Sequence, residues 1–167
     1  CQMEKFSKSV QPQAISTDKA SSCTSFELEA WESNRSICGI DEVGRGCFAG
    51  PVVTAAVILH PFAIHPLLKD SKILTEAQRL TAAEWISKNS WYAFGIRSAQ
   101  VVDQHNIYQA TKQAMTQALL GLLSQSPAWA TNTPLVLIDA MPLTAPAAYP
   151  NLESKSFPFG ESRSISI

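Results

Sequence analysis

Past residue 35 the chain alternates short apolar runs with stretches of helical periodicity. Residues 36–41 (SICGID) form an apolar run of strand length that closes on a carboxylate. Gly44-Arg45-Gly46 then interrupts regular structure, since glycine frees the backbone for φ > 0 or for close approach. Residues 51–60 (PVVTAAVILH) are a second, β-branched run closed by Pro61. Two such runs around a tight glycine-rich turn predict a hairpin. After a loop over 61–74, Thr75 with Gln78 fits a capping box, and Ala77, Leu80, Ala83 and Ile86 recur at helical spacing, predicting a helix over 76–88. Residues 91–99 (WYAFGIRSA) alternate partially and are aromatic-rich, as in a strand. Asn106 with Gln109 repeats the cap signal, and Ile107, Ala110, Ala114, Ala118 and Leu122 share one face of a long helix ending near Ser124. Residues 134–140 (PLVLIDA) read as a buried strand reaching another carboxylate, 143–151 as an irregular loop and 155–159 as a short last strand. This order predicts an α/β fold with a mixed sheet, its opening hairpin antiparallel and its later strands parallel.

Residues 1–35 have a different texture: polar, of mixed charge and without periodicity. They read as a mobile tail, in which Phe26, Leu28 and Trp31 make a short helical turn docked on the body, with residues 36–167 as the folded domain. The chain opens on Cys1 rather than methionine, as a fragment or processed product does. Its 167 residues, 46% hydrophobic, suffice for one core and exclude a wholly disordered chain. No uncharged apolar run approaches the length of a membrane span, and the first residues lack a secretory signal, so the expected compartment is the cytoplasm. The four cysteines form no C-x-x-C, which favours buried or incidental thiols over zinc or a disulfide framework.

The candidate chemistry lies in a positional coincidence. Both SICGID and PLVLID end on an aspartate, and Glu42 follows the first at once. Open α/β sheets collect ligands beyond the carboxyl ends of their strands, where Asp41, Glu42 and Asp139 meet if the two strands are neighbours. Crowded carboxylates raise one another's pKa unless a cation neutralises them, and hard oxygen donors without histidine favour Mg²⁺ or Mn²⁺. Because consecutive strand side chains alternate faces, Asp41 and Glu42 share a cluster only if the strand ends or bulges between them. Gly44, Arg45 and Gly46 suit a phosphodiester, with amides free to approach and a planar guanidinium fork, but equally describe an ordinary tight turn. Ser71 and Lys72 suit a phosphate, while Lys69 and Asp70 read as a surface charge pair. No Walker loop, nucleophile elbow or zinc-protease histidine pair occurs. Cys47 has no histidine near it in sequence to activate it.

The run Ile40-Asp41-Glu42-Val43-Gly44-Arg45-Gly46-Cys47-Phe48-Ala49-Gly50-Pro51-Val52-Val53 closely resembles the signature of type 2 ribonuclease H, bacterial ribonuclease HII. Leu68-Lys69-Asp70-Ser71-Lys72, Asn106-Ile107 opening a helix and Leu137-Ile138-Asp139 continue the resemblance in order over about residues 36–167. It implies a ribonuclease H-like mixed sheet flanked by helices. It also implies Mg²⁺- or Mn²⁺-dependent, two-metal-ion hydrolysis of RNA in RNA–DNA hybrids, with incision 5′ of ribonucleotides embedded in duplex DNA, in the service of replication and repair. Under it Asp41, Glu42 and Asp139 are catalytic metal ligands. Gly44, Arg45 and Gly46 sense the 2′-hydroxyl and neighbouring phosphates, and Ser71 and Lys72 contact the nucleic-acid backbone. It implies a monomer whose partner is the hybrid or the ribonucleotide-containing duplex, with no membrane. The same resemblance places a fourth acid on a helix after the GESRSISI stretch, so the chain reads as truncated at its C-terminus, with Glu153 and Glu161 out of the matching context. A non-catalytic hybrid-binding remnant is the alternative reading. A net charge of −1 does not oppose a polyanionic substrate: residues 36–167 hold nine basic and nine acidic side chains, and three of the acids are the proposed ligands.

Overall fold

Five strands form one sheet in the computed structural model of the chain, which describes residues 25–46, 50–130, 132–139 and 141–157. They are β1 (Ile37–Val43), β2 (Val52–Leu59), β3 (Ser90–Arg97), β4 (Leu135–Asp139) and β5 (Ser154–Phe157), in spatial order β3-β2-β1-β4-β5. The β1–β2 and β2–β3 pairs are antiparallel, and β4 runs parallel to both β1 and β5. The helices are α1 (Ser25–Glu32), α2 (Glu76–Asn89) and α3 (Ala99–Leu123). This is the mixed sheet that the element order predicts. Cys1, Cys23, Cys47, Glu161, most of the expected tail and the stretch 160–167 lie outside the described residues, as does the end of the last expected strand beyond Phe157.

One sheet face carries the main core. Cys38, Ile40, Ala56, Ile58, Val136 and Ile138 project onto Met115, Ala118, Leu119 and Leu122 of α3, all buried. Ala110, Ala114, Ala118 and Leu122 are fully buried along α3, the stripe predicted from spacing, with Ile107 half-buried. Small residues let this helix lie close on the sheet. The closest approach is at Gly95, where a Cβ would stand 1.8 Å from the Ala114 carbonyl oxygen and 2.9 Å from the Ala118 nitrogen. Cys38 sits in this core, and burial pushes its thiol pKa up to about 12, as expected of an inert packing cysteine.

α3 is not continuous. Asn106 has φ 65° and ψ 161°, which breaks the helix and lets the side chain act as a cap: its Oδ1 accepts the Gln109 N–H at 3.0 Å. The cap signal at Asn106 is thus realised, but a further helical turn from Ala99 precedes it, capped by Ser98. We expect Asn106→Ala to destabilise by about 2 kcal/mol, since it removes the cap and keeps a backbone that disfavours a Cβ. Asn106→Gly should cost less. Urea midpoints at unchanged m-value measure both, and equal losses would refute the backbone contribution.

The opposite sheet face is thinly covered. α1 packs Ala30 and Phe26 against Ile37, Leu135 and Leu137, which realises the docked helical turn expected around Phe26 and Trp31. α2 has the predicted capping box, with Thr75 and Gln78 exchanging side-chain bonds to each other's N–H at 3.3 and 2.9 Å. Its apolar positions behave differently from the expectation. Leu80 is 63% exposed and Ala82 is the helix's buried residue, because α2 makes little contact with the sheet. Between them lies an apolar cleft of about 300 Å³ lined by Ala55, Val57, Ala83, Ile86, Tyr92 and Phe94.

The free edge of β3 is closed by side chains rather than by a strand. Gln125 Nε2 donates to the Tyr92 carbonyl at 2.8 Å, Gln117 Oε1 accepts the Ile96 N–H at 3.3 Å, and Arg97 Nη1 donates to the Ile96 carbonyl at 2.8 Å. Occupied edge groups discourage pairing with another chain. No helix among the described residues is long and apolar enough to cross a membrane.

Candidate active site

The carboxyl ends of β1 and β4 lie side by side. Their parallel register pairs Ile37 with Leu135 and Ile40 with Ile138, which sets Asp41 and Asp139 at the next equivalent position. Residues at equal register in neighbouring strands share a sheet face, and the strands are about 4.8 Å apart. The two aspartates therefore stand on one face, as their sequence positions predict. Asp41 is exposed and Asp139 half-buried. The Glu42 N–H donates to Asp41 Oδ1 at 2.7 Å and fixes that carboxylate.

Glu42 is placed differently. β1 neither ends nor bulges at Asp41: its ladder with β2 continues through Asp41–Ala55, Glu42–Thr54 and Val43–Val53. Having lost β4 as a neighbour, the strand is still held extended by β2, so alternation turns Glu42 to the face opposite Asp41. There its Oε1 accepts Arg45 Nη1 at 3.0 Å, while its Oε2 is buried and has no hydrogen-bond partner. Accordingly, no group of three histidine, cysteine or acidic side chains among the described residues closes into a metal-binding cluster. The expected gathering of three acids is met for the two aspartates only.

The turn after β1 shows which glycine the backbone demands. Gly44 has φ +102°, and a Cβ there would lie 2.5 Å from the Pro51 carbonyl oxygen, so no other residue fits without strain. At Gly46 a Cβ would meet nothing within 4 Å, so packing does not select glycine there. Arg45 is 41% exposed and tied to Glu42, which orders the turn beside the strand end. Ser71 and Lys72 lie in a 3₁₀ turn (Ser71–Ile73) after β2. Asp70 caps that turn by accepting the Lys72 N–H at 2.9 Å, Leu74 anchors it, and both Ser71 and Lys72 are exposed. His60 packs edge-on against Trp91, and His65 Nδ1 accepts the Leu67 N–H at 3.2 Å, so neither histidine joins the carboxylates.

Sequence reasoning missed Thr54, the register partner of Glu42. It is buried, and its hydroxyl donates to the Gly95 carbonyl at 3.3 Å. A lone hydroxyl at an inward position of an otherwise apolar strand was the available signal. The donor chemistry fits a hard divalent cation. Two carboxylates share one face at the carboxyl ends of β1 and β4, and the adjoining Glu42 leaves a buried oxygen without a partner. Magnesium in particular is commonly bound through one or two carboxylates, with water and substrate phosphate completing its shell.

Residues 38–149 match the family model for ribonuclease HII. A curated relative, ribonuclease HII of Bacillus anthracis, is 49% identical over 132 residues, covering 78% of this chain and 47% of its own length. The chain thus spans about half the length of the curated relatives it matches. Among solved structures, ribonuclease H2 from Pyrococcus horikoshii OT3 superposes with a TM-score of 0.61 at 20% identity, covering 78% of this chain and 66% of that one. Bst-RNase HIII in complex with Mn²⁺ superposes at 0.55 and 24% identity, covering 79% and 48%. At such identities the superpositions establish the shared α/β fold.

Proposed function

This chain belongs to the ribonuclease HII family, and from that membership we propose that it acts on RNA–DNA hybrids, hydrolysing the RNA strand endonucleolytically and incising 5′ of single ribonucleotides in duplex DNA. The observation that carries the reading is the parallel register of β1 and β4, whose last pair, Ile40–Ile138, leaves Asp41 and Asp139 at the next position of each strand. These two carboxylates would hold Mg²⁺ or Mn²⁺, while Glu42, on the opposite face, would hold Arg45 instead. Divalent cations bound there, in the two-ion form, supply Lewis acidity at the phosphodiester and a more acidic water.

The chain's own residues do the rest. Gly44 keeps the turn close against Pro51, and the open space at Gly46 lets a ribose approach the backbone. Contact with the 2′-hydroxyl there separates RNA from DNA at the scissile step. Arg45 exchanges its Glu42 partner for a phosphate, and Ser71 with Lys72 takes a second phosphate on the strand. A second reading, hybrid binding without turnover, is favoured by the lack of a three-acid cluster among the described residues.

The deciding experiment incubates the chain with a labelled DNA duplex carrying one ribonucleotide, in Mg²⁺, in Mn²⁺ and in EDTA. Cleavage 5′ of the ribonucleotide in metal alone is the expected result. Retention of the duplex without cutting would establish the binding reading, and cleavage that persists in EDTA would reject both.

A further inference from the structure

A groove with two cations on its walls lies outside the carboxylate site. Between α3 and the edge strand β3 runs an open groove of about 770 Å³, with Arg97, Lys112, Gln113, Thr116 and Gln117 among its walls. Its cations are not neutralised. Arg97 Nε donates to Gln113 Oε1 at 3.2 Å, and its Nη1 donates to Gln117 Oε1 and to the Ile96 carbonyl. These partners are uncharged oxygens, so they hold the guanidinium in place and leave its charge available. Lys112 Nζ lies 5.8 Å from the centre of the Tyr108 ring. Among the described residues no carboxylate lies within ion-pair distance of either cation. β3 has no acidic residue, and the one acid of α3, Asp103, lies nine positions before Lys112 and on the other side of the break at Asn106.

The hydrogen-bonding polarity has the same bias. Both glutamines turn their carbonyl oxygens to Arg97 and, at Gln117, to the edge of β3, so their acceptors are taken and their NH₂ groups remain as donors. The surface therefore offers positive charge and N–H donors, the complement of a phosphodiester, which carries negative charge and only acceptors. It lies at the same end of the sheet as the proposed site: Arg97 pairs with Val52, and the next residue, Val53, pairs with Val43 at the end of β1. Asp41 is level with Phe94, so Arg97 lies two strand spacings across and three residues along from it, about 14 Å or roughly four nucleotide rises.

We propose that this groove is a second nucleic-acid contact, in which Arg97 and Lys112 bind the phosphate backbone of the duplex about four nucleotides from Asp41. The proposal rests on the hybrid-processing reading and extends the contact beyond the Gly44–Gly46 turn and Lys72. Its test is the salt dependence of binding to a labelled RNA–DNA hybrid in EDTA, where nothing is cut. For the double variant Arg97→Gln, Lys112→Gln we expect about tenfold weaker binding and a log K against log[salt] slope shallower by about 1.8, the loss of two phosphate contacts. Gln113→Glu, which keeps Arg97 but neutralises it, should weaken binding in the same direction, and it guards against a folding defect in the double variant. Thermal midpoints of all three proteins complete the control. Wild-type binding with an unchanged slope in both variants would overturn the groove alone. Failure of the unaltered chain to bind hybrid at any salt would overturn the hybrid reading and the groove with it.

Discussion

Asp41→Asn is expected to reduce metal-dependent cleavage of an RNA–DNA hybrid by about 10³-fold or more, equivalent to roughly 4 kcal/mol of transition-state stabilisation. The substitution is nearly isosteric and keeps an oxygen to accept the Glu42 N–H, now made at 2.7 Å, so the strand end stays ordered. What it removes is one of two negative charges at equal register on β1 and β4. A neutral amide is a poor ligand for a hard divalent cation. Asp139→Asn should act alike, and the double variant should be little worse than either single one, because groups that act as a unit are not additive. Stability should hold or rise slightly, since a like-charge neighbour is lost. Hybrid binding supplies a readout independent of turnover: the gain in affinity that Mn²⁺ confers on the wild-type chain should vanish in both variants. Activity within tenfold of wild type, or an intact Mn²⁺ response, would remove Asp41 from the ligand role.

The largest effect on folding is expected at Gly95. An alanine there places its Cβ 1.8 Å from the Ala114 carbonyl oxygen, 2.7 Å from its carbon and 2.9 Å from the Ala118 nitrogen. All three are backbone atoms of a helix, so no side chain can rotate away. Relief requires moving α3 off β3, which opens the core around Met115, Ala118 and Leu119. Overpacking of this kind costs about 3 kcal/mol or more, and a melting temperature lower by about 6–12 °C follows for a chain of this size. Gly46→Ala makes the control, because the same added methyl meets nothing within 4 Å. Equal melting temperatures for Gly95→Ala and wild type would show that α3 does not rest on the β3 backbone.

The two glycines show why some features could be read in the sequence and others could not. Gly44 sits in a turn between two apolar runs, and local signals alone identified it. Gly95 lies inside a strand pattern, and its meaning depends on a helix 19 residues further along the chain packing against it. Asn106 is a similar mixture: its capping role was visible from Gln109 three residues on, but the helical turn before it was not, because a left-handed φ leaves little trace in side-chain periodicity. On α2 the cap was legible and the buried face was not. Helical spacing identifies an apolar stripe, whereas the sparse contact of α2 with the sheet leaves Leu80 outside the core. Arg97 and Lys112, 15 residues apart, carry no joint signal until β3 and α3 form the two walls of one groove.

The order of elements, the mixed sheet, the caps at Thr75 and Asn106 and the glycine turn were legible in the sequence alone. Each depends on residue type and spacing within a dozen or so positions, where sterics and hydrogen bonding act locally. Tertiary structure decided which acids meet. Asp41 and Asp139 are about a hundred residues apart, and only the parallel register of β1 and β4 sets them side by side. The same pairing decided the position of Glu42. β2 keeps β1 extended past the end of β4, and in an extended strand adjacent side chains point to opposite faces.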